Sequence, residues 1–253
     1  MRGQGLRRRA RADRAGELPD VTYRVQRLDP RTGKAQWTYR AATGVQDVYL
    51  PSSDPPVLAV AAGDSVVTDL VSLDDRGKHL STVSLAGYEA KCASRYFSSP
   101  LFGVVENCDG MVVGRTPAFV MSKENITDEQ PSGWIVAFDL RTGRTQGKFE
   151  GCWLQMVQPL RMSGDELLIH RRSGALSPAS VVSWNPRTDK ETPVLLFILP
   201  EDEEAELSDP ERSDIVVENG NVFFARRTVV RDEEYPKDPV LLAVGYGSAG
   251  LKH

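Results

Sequence analysis

The sequence predicts an all-β fold assembled from repeated four-stranded antiparallel units, and three observations carry the prediction. First, the stretch Leu28-Asp29-Pro30-Arg31-Thr32-Gly33-Lys34-Ala35-Gln36-Trp37 returns along the chain. It recurs as Phe138-Asp139-Leu140-Arg141-Thr142-Gly143-Arg144, as Trp184-Asn185-Pro186-Arg187-Thr188-Asp189-Lys190, and in shortened form as Leu73-Asp74-Asp75-Arg76-Gly77-Lys78. Second, glycine-containing turns lie between apolar runs at Gly63, Gly110, Gly164 and Gly220. Third, helical periodicity is close to absent. The two series interleave at intervals of mostly about 50 residues, a spacing that marks an array of small units. Short strands repeated at that period suggest a propeller of four-stranded blades, about four to five of them.

Taken in order, the first fifteen residues hold Arg2, Arg7, Arg8, Arg9, Arg11 and Arg14 against Asp13 alone. That composition reads as a disordered basic tail over 1–17. The adjacent arginines are not followed by the apolar stretch that an export signal needs. Val21–Leu28 and Ala35–Arg40 are rich in Val, Tyr, Thr and Trp and flank a turn, so they read as a β-hairpin. Asp29 can accept hydrogen bonds from backbone N–H groups of that turn, and Gly33 can take positive φ. Asp109-Gly110 and Asn219-Gly220 are strong hairpin signals for the same conformational reason.

The wide gap between Asp74 and Asp139 is filled largely by the polar loop 122–132, which contains the glycosylation-type triplet Asn125-Ile126-Thr127. A second polar loop, 201–211, is dense in carboxylates but lacks the alternating spacing and central glycine of a calcium loop. The chain opens on what reads as the last two strands of a blade. It ends on Val240–Tyr246, which reads as a third strand. Either the terminal strands share a blade and complete a ring, or the array is an open arc of a larger propeller.

The formal charge of −4 becomes about −9 once the basic first fifteen residues are set aside. An acidic body repels phosphate backbones, which argues against nucleic acid as the partner. The best apolar run, Val194–Leu199, falls far short of the ~20 residues that cross a bilayer as a helix.

These motifs resemble the PQQ-like (BamB-type) β-propeller repeat family, in which a strand ending in Ala-x-Asp precedes x-x-Thr-Gly-Lys and a Trp. The resemblance is carried by Asp29, Thr32, Gly33 and Trp37, by Asp74 and Gly77, by Asp139, Thr142 and Gly143, and by Asn185 and Thr188. It covers roughly residues 20 to 246, within a propeller domain of 18–247 followed by a short disordered tail at 248–253. At the place of Trp37 the third copy has Gly147 and the fourth Thr192. The resemblance implies a bacterial, extracytoplasmic protein, and a tryptophan that packs between neighbouring blades. The chain's Arg, Asp, Val and Gly usage has a bacterial, actinobacterial character.

Quinoprotein dehydrogenases of this family hold a calcium-bound quinone, a catalytic Asp and an adjacent cysteine pair, and no Cys-Cys occurs here. Cys92, Cys108 and Cys152 and the single His79, His170 and His253 lack zinc-ligand spacing. Cys92 and Cys108 could be bonded across neighbouring strands in an oxidising compartment. A Cys108–Cys152 bond, or three reduced thiols, are alternatives. No nucleophile elbow occurs, and Gly245-Tyr246-Gly247 lacks the third glycine and helix of a phosphate loop. Trp134 and Trp153 could stack on sugars, although such residues more often pack. The expectation is a non-enzymatic scaffold or sensing domain with no catalytic residue, cofactor or metal, whose partner is another protein. The alternatives are a quinoprotein fragment and a small-ligand-binding propeller.

Overall fold

The computed structural model describes residues 4–10, 21–61, 67–88, 91–92, 108–122, 133–152, 155–173, 177–197, 213–226 and 243–247. The first sheet comprises β1 (Gln4–Ala10), β2 (Val21–Leu28) and β3 (Ala35–Arg40). The second comprises β4 (Asp47–Ser53), β5 (Pro56–Ala61), β6 (Val67–Leu73) and β7 (His79–Ser84). A short ladder pairs β8 (Lys91–Cys92) with β9 (Cys108–Asp109). The third sheet is β10 (Met111–Val113), β11 (Pro117–Ser122), β12 (Trp134–Asp139) and β13 (Thr145–Glu150). The fourth is β14 (Val157–Ser163), β15 (Glu166–Arg171), β16 (Ala179–Asn185) and β17 (Lys190–Phe197). The fifth is β18 (Ser213–Glu218), β19 (Asn221–Arg226) and β20 (Ala243–Gly247).

Strands follow one another in chain order within every sheet, as an up-and-down meander requires. The fold is therefore all-β and built of propeller-type blades, with no helix among the described residues. None of those residues forms a helix long and apolar enough to cross a membrane.

Burial explains which sequences become which strands. Every residue of β5 is buried, and so are the first six of β16; β5 carries a continuous apolar run, and β16 a mostly apolar one interrupted by the buried Ser180 and Ser183. The last strands of the sheets alternate instead: β3 and β7 bury Trp37, Ser81 and Val83 on one face and expose the other. A strand covered on both faces reads as an apolar run, and one covered on a single face alternates.

The chain divides into two compact units, residues 1–122 with 136–147, and residues 123–135 with 148–253. In the first, Tyr23, Val25 and Trp37 pack with Val48, Leu58, Val60, Val71 and Leu73. Each such side chain removed from water contributes about 1.5–3 kcal/mol. In the second, Leu168, Ala179 and Val181 pack with Val217, Val222 and Phe224. Arg161 Nε donates to the Val217 carbonyl at 2.8 Å and ties β14 to β18.

Three expectations are corrected. Residues 1–17 are not a tail throughout, because Gln4–Ala10 pair antiparallel with Val21–Leu28 and add a strand before the expected opening pair. The terminal strands do not share a blade among the described residues: β1 pairs with β2, and β20 pairs with β19. The four turn glycines are not equivalent either. Gly164 and Gly220 join the first two strands of their sheets, whereas Gly110 precedes β10. Gly63 lies between β5 and β6 in sequence and outside the described residues, as do the loop at 123–132, residues 201–211, Trp153 and 248–253.

Cys92 and Cys108 are disulfide-bonded and hold the β8–β9 ladder, while Cys152 is free and exposed. Closing a loop of this length removes about 3 kcal/mol of chain freedom from the unfolded state.

His170 sits fully inside the second unit, 5.4 Å from the Phe224 ring. Burial, and after it the charge of Arg172, pushes its imidazole down to about 3. The unfolded chain therefore takes up a proton near pH 6.5 that the folded chain refuses. Stability attributable to this residue is full above pH 6.5 and declines as pH falls from there towards 3. Between pH 7 and pH 5 the loss is about 2 kcal/mol. Urea unfolding at both pH values, on the parent and on His170→Phe, checks this: the variant is expected to lose that much less on acidification.

Candidate functional site

The recurring turn always joins the last two strands of a sheet: β2 to β3, β6 to β7, β12 to β13 and β16 to β17. In the first copy Asp29 Oδ1 accepts the N–H groups of Arg31 at 2.9 Å and Thr32 at 2.8 Å. The Gly33 N–H closes onto the Asp29 carbonyl at 2.8 Å. In the second, Asp74 Oδ1 accepts from Arg76 at 2.9 Å and Lys78 at 2.8 Å. In the third, Asp139 Oδ1 accepts from Arg141 N, Thr142 N and Thr142 Oγ1, and its Oδ2 from the Gln146 amide at 2.9 Å. In the fourth, Asn185 Oδ1 accepts from Arg187 at 3.0 Å and Thr188 at 3.4 Å.

Each copy ends in a left-handed residue: Gly33, Gly77, Gly143, and Asp189 at φ 53°. Asp189 tolerates that conformation and accepts the Trp184 indole N–H at 3.0 Å. Trp184 itself lies 5.5 Å from the Phe149 ring, over which the Arg171 guanidinium sits at 4.7 Å.

The electrostatics follow from these bonds. Hydrogen bonds from Thr32 and Arg31 N–H hold the exposed Asp29 carboxyl below the ordinary range. At Asp139 burial works upwards, but the donors of Thr142, Arg141 and Gln146 together outweigh it and the carboxyl also lies low. A depressed carboxyl stabilises the fold above its unfolded pKa and stops doing so as pH falls through the folded value.

The turns also touch the neighbouring sheet. A Cβ on Gly77 would stand 2.6 Å from the Trp37 indole, so the ring of one repeat rests on the bare glycine of the next. A Cβ on Gly143 would stand 2.9 Å from the Thr82 carbonyl oxygen of β7. The Ser81 hydroxyl donates to the Leu140 carbonyl at 2.7 Å, and Ser72 donates to the same oxygen. Sequence reading missed Ser72 and Ser81 because neither belongs to a motif.

Arg27, Leu28, Pro30 and Gln36 of the first hairpin, with Asp54 and Asp75 from turns of the second sheet, line an open cleft of about 610 Å³. The Arg27 side chain is 12% exposed and reaches the exposed Asp75 only at 4.0 Å. Among the described residues the cleft thus offers one sheltered cation and two carboxylates.

A quinone and calcium do not fit the described residues. Asp29, Asp74 and Asp139 each commit Oδ1 to backbone N–H groups of their own turn, and among the described residues no group of three His, Cys, Asp or Glu side chains gathers for a metal. His79 is exposed and bonded to Thr82, and Gly245-Tyr246-Gly247 belongs to strand β20. Trp134 carries the Lys148 ammonium over its ring at 4.1 Å.

No protein-family model matches the sequence, and no curated protein matches it. Among solved structures the chain is similar to BamB from Moraxella catarrhalis, at 15% identity and a TM-score of 0.35. The match covers 85% of this chain and 59% of that one, so this chain spans less than two thirds of its length. The likeness is one of loose fold.

The turns make an internal comparison testable. Gly33 and Gly77 have similar φ, 67° and 76°, but a Cβ on Gly33 meets nothing within 4 Å. Gly33→Ala is expected to cost the left-handed strain alone, about 1–2 kcal/mol. Gly77→Ala is expected to cost that and a further ~1–3 kcal/mol for displacing Trp37. Urea midpoints of the two variants measure the difference.

Proposed function

We propose that the chain is a non-enzymatic propeller scaffold of the bacterial cell envelope, a member of the PQQ-like repeat family that presents its loops to another protein. The observation that carries this reading is the fate of the recurrent acids. Asp29, Asp74 and Asp139 each turn an oxygen onto backbone N–H groups of their own loop. Acids committed to shaping turns are poor candidates for acid–base chemistry or for holding a cofactor. The Cys92–Cys108 bond supports an oxidising compartment, since such bonds persist chiefly outside the cytosol.

The Arg27 cleft favours a second reading, a propeller that holds a small zwitterion such as an amino acid. The two readings and the quinoprotein alternative part in one pair of measurements. Affinity capture from envelope extract is expected to return a stoichiometric partner. The melting temperature is expected to stay put with PQQ and Ca²⁺, because only a ligand bound by the folded state raises it. A rise with PQQ and Ca²⁺ would overturn the scaffold reading in favour of a quinoprotein, and a rise with free amino acids in favour of the cleft.

A further inference from the structure

The three strands of the first sheet carry six arginines, Arg7, Arg8, Arg9, Arg24, Arg27 and Arg40, and not one Asp or Glu. The whole chain, by contrast, has 35 acids against 31 Lys and Arg. Register sorts these arginines onto faces. Tyr23, Val25 and Trp37 point into the core, so the alternate positions form the opposite face. There Arg24 stands directly across from Arg40 on β3 and from the Arg7 position on β1. The Arg9 position lies on the same face, opposite Thr22. Gln26 Nε2 bonds Thr38 Oγ1 at 2.8 Å beside the row, which fixes these two side chains on that face.

Such a row is unfavourable for the sheet on its own. Like charges directly opposite one another across strands destabilise. Arg24 and Arg40 form no ion pair with a described residue. A pattern that costs stability and has no counter-charge among the described residues is explained by a counter-charge arriving from outside.

We propose that this face binds an acidic, extended segment of the partner protein, a proposal that rests on the scaffold reading and gives its partner a chemistry. Arginine suits the task because its planar fork grips a carboxylate through two parallel hydrogen bonds. A peptide is favoured over a membrane or a duplex by the rest of the molecule. Those phosphate surfaces extend well past the sheet and meet the repulsion of an acidic body. A single strand of peptide lies within about one Debye length, ~8 Å, of the arginine row. Same-side residues of an extended peptide also recur about every 6.6–6.8 Å, the spacing of the Arg7 and Arg9 positions along β1.

The test uses the full chain and a fluorescent peptide of alternating Glu and Ser, with Gln replacing Glu in the control. Anisotropy is expected to show salt-sensitive binding of the Glu peptide and none of the Gln peptide. The double variant Arg24→Gln/Arg40→Gln is expected to weaken binding about tenfold or more, roughly the loss of one charged hydrogen-bonded contact. Arg141→Gln/Arg144→Gln, the same charge change at an exposed turn, is expected to leave binding nearly unaltered. The first double variant is also expected to melt at or slightly above the parent, since it removes a like-charge pair. Arg40→Gln alone, at an exposed position, is expected to fall between and serves if the double variant misfolds.

Equal weakening in both double variants would reduce the effect to overall charge and overturn the proposal. So would tighter binding of phosphatidylglycerol vesicles or of duplex DNA than of the peptide. If the envelope partner is captured equally by parent and Arg24→Gln/Arg40→Gln, the scaffold reading stands and this proposal falls. If no partner is captured while peptide binding maps to the arginines, the face stands and the scaffold reading falls.

Discussion

Close approach between one sheet and the bare backbone of the next repeat's turn is the constraint on which the first unit depends. Trp37 rests where Gly77 has no Cβ, and the Thr82 carbonyl lies where Gly143 has none. The same turn that reverses the chain thus also sets the distance between neighbouring sheets. The glycine is required twice over, for its positive φ and for its missing side chain. The third turn adds a polar seam, in which the Ser72 and Ser81 hydroxyls converge on the Leu140 carbonyl. These hydroxyls are buried, and each finds the acceptor that a buried donor needs.

The acid or amide at the head of each turn serves the same end. Its side-chain oxygen gathers two or more N–H groups of its own loop, and at Asp29 and Asp139 those bonds hold the carboxyl below its ordinary range. Geometry of this kind leaves little of the acid for a ligand. Arg24 and Arg40 of the first sheet, by contrast, form no ion pair with a described residue.

Much of this was legible in the sequence, for local reasons. A hairpin boundary is set by turn chemistry, and Val21–Leu28 and Ala35–Arg40 emerged as strands with those bounds. The turn geometry of Asp29 and Gly33 could be read from what their side chains, present or absent, permit. What escaped was non-local. Ser72 and Ser81 meet Leu140 across 68 and 59 residues, and nothing in a serine announces such a contact. Gln4–Ala10 carries three consecutive arginines and reads as a tail, because pairing along β2, rather than propensity, makes it a strand. The turn glycines looked like a second periodic series because any hairpin can use a glycine, so their even spacing did not imply equivalent places in the sheets. The pairing of Cys92 with Cys108 was one of several open choices, and the β8–β9 ladder selects it by placing the two residues opposite each other.

The measurement that bears most directly on the central claim is a double-mutant cycle between Trp37→Val and Gly77→Ala, read by urea unfolding. If the indole and the bare glycine form one packed unit, the two changes are not additive. Once the ring is gone, alanine at 77 should cost no more than its left-handed strain, giving a coupling of about 1–3 kcal/mol. Additivity within about 0.3–0.5 kcal/mol would mean that the two residues act independently and that the turns do not fasten one sheet to the next.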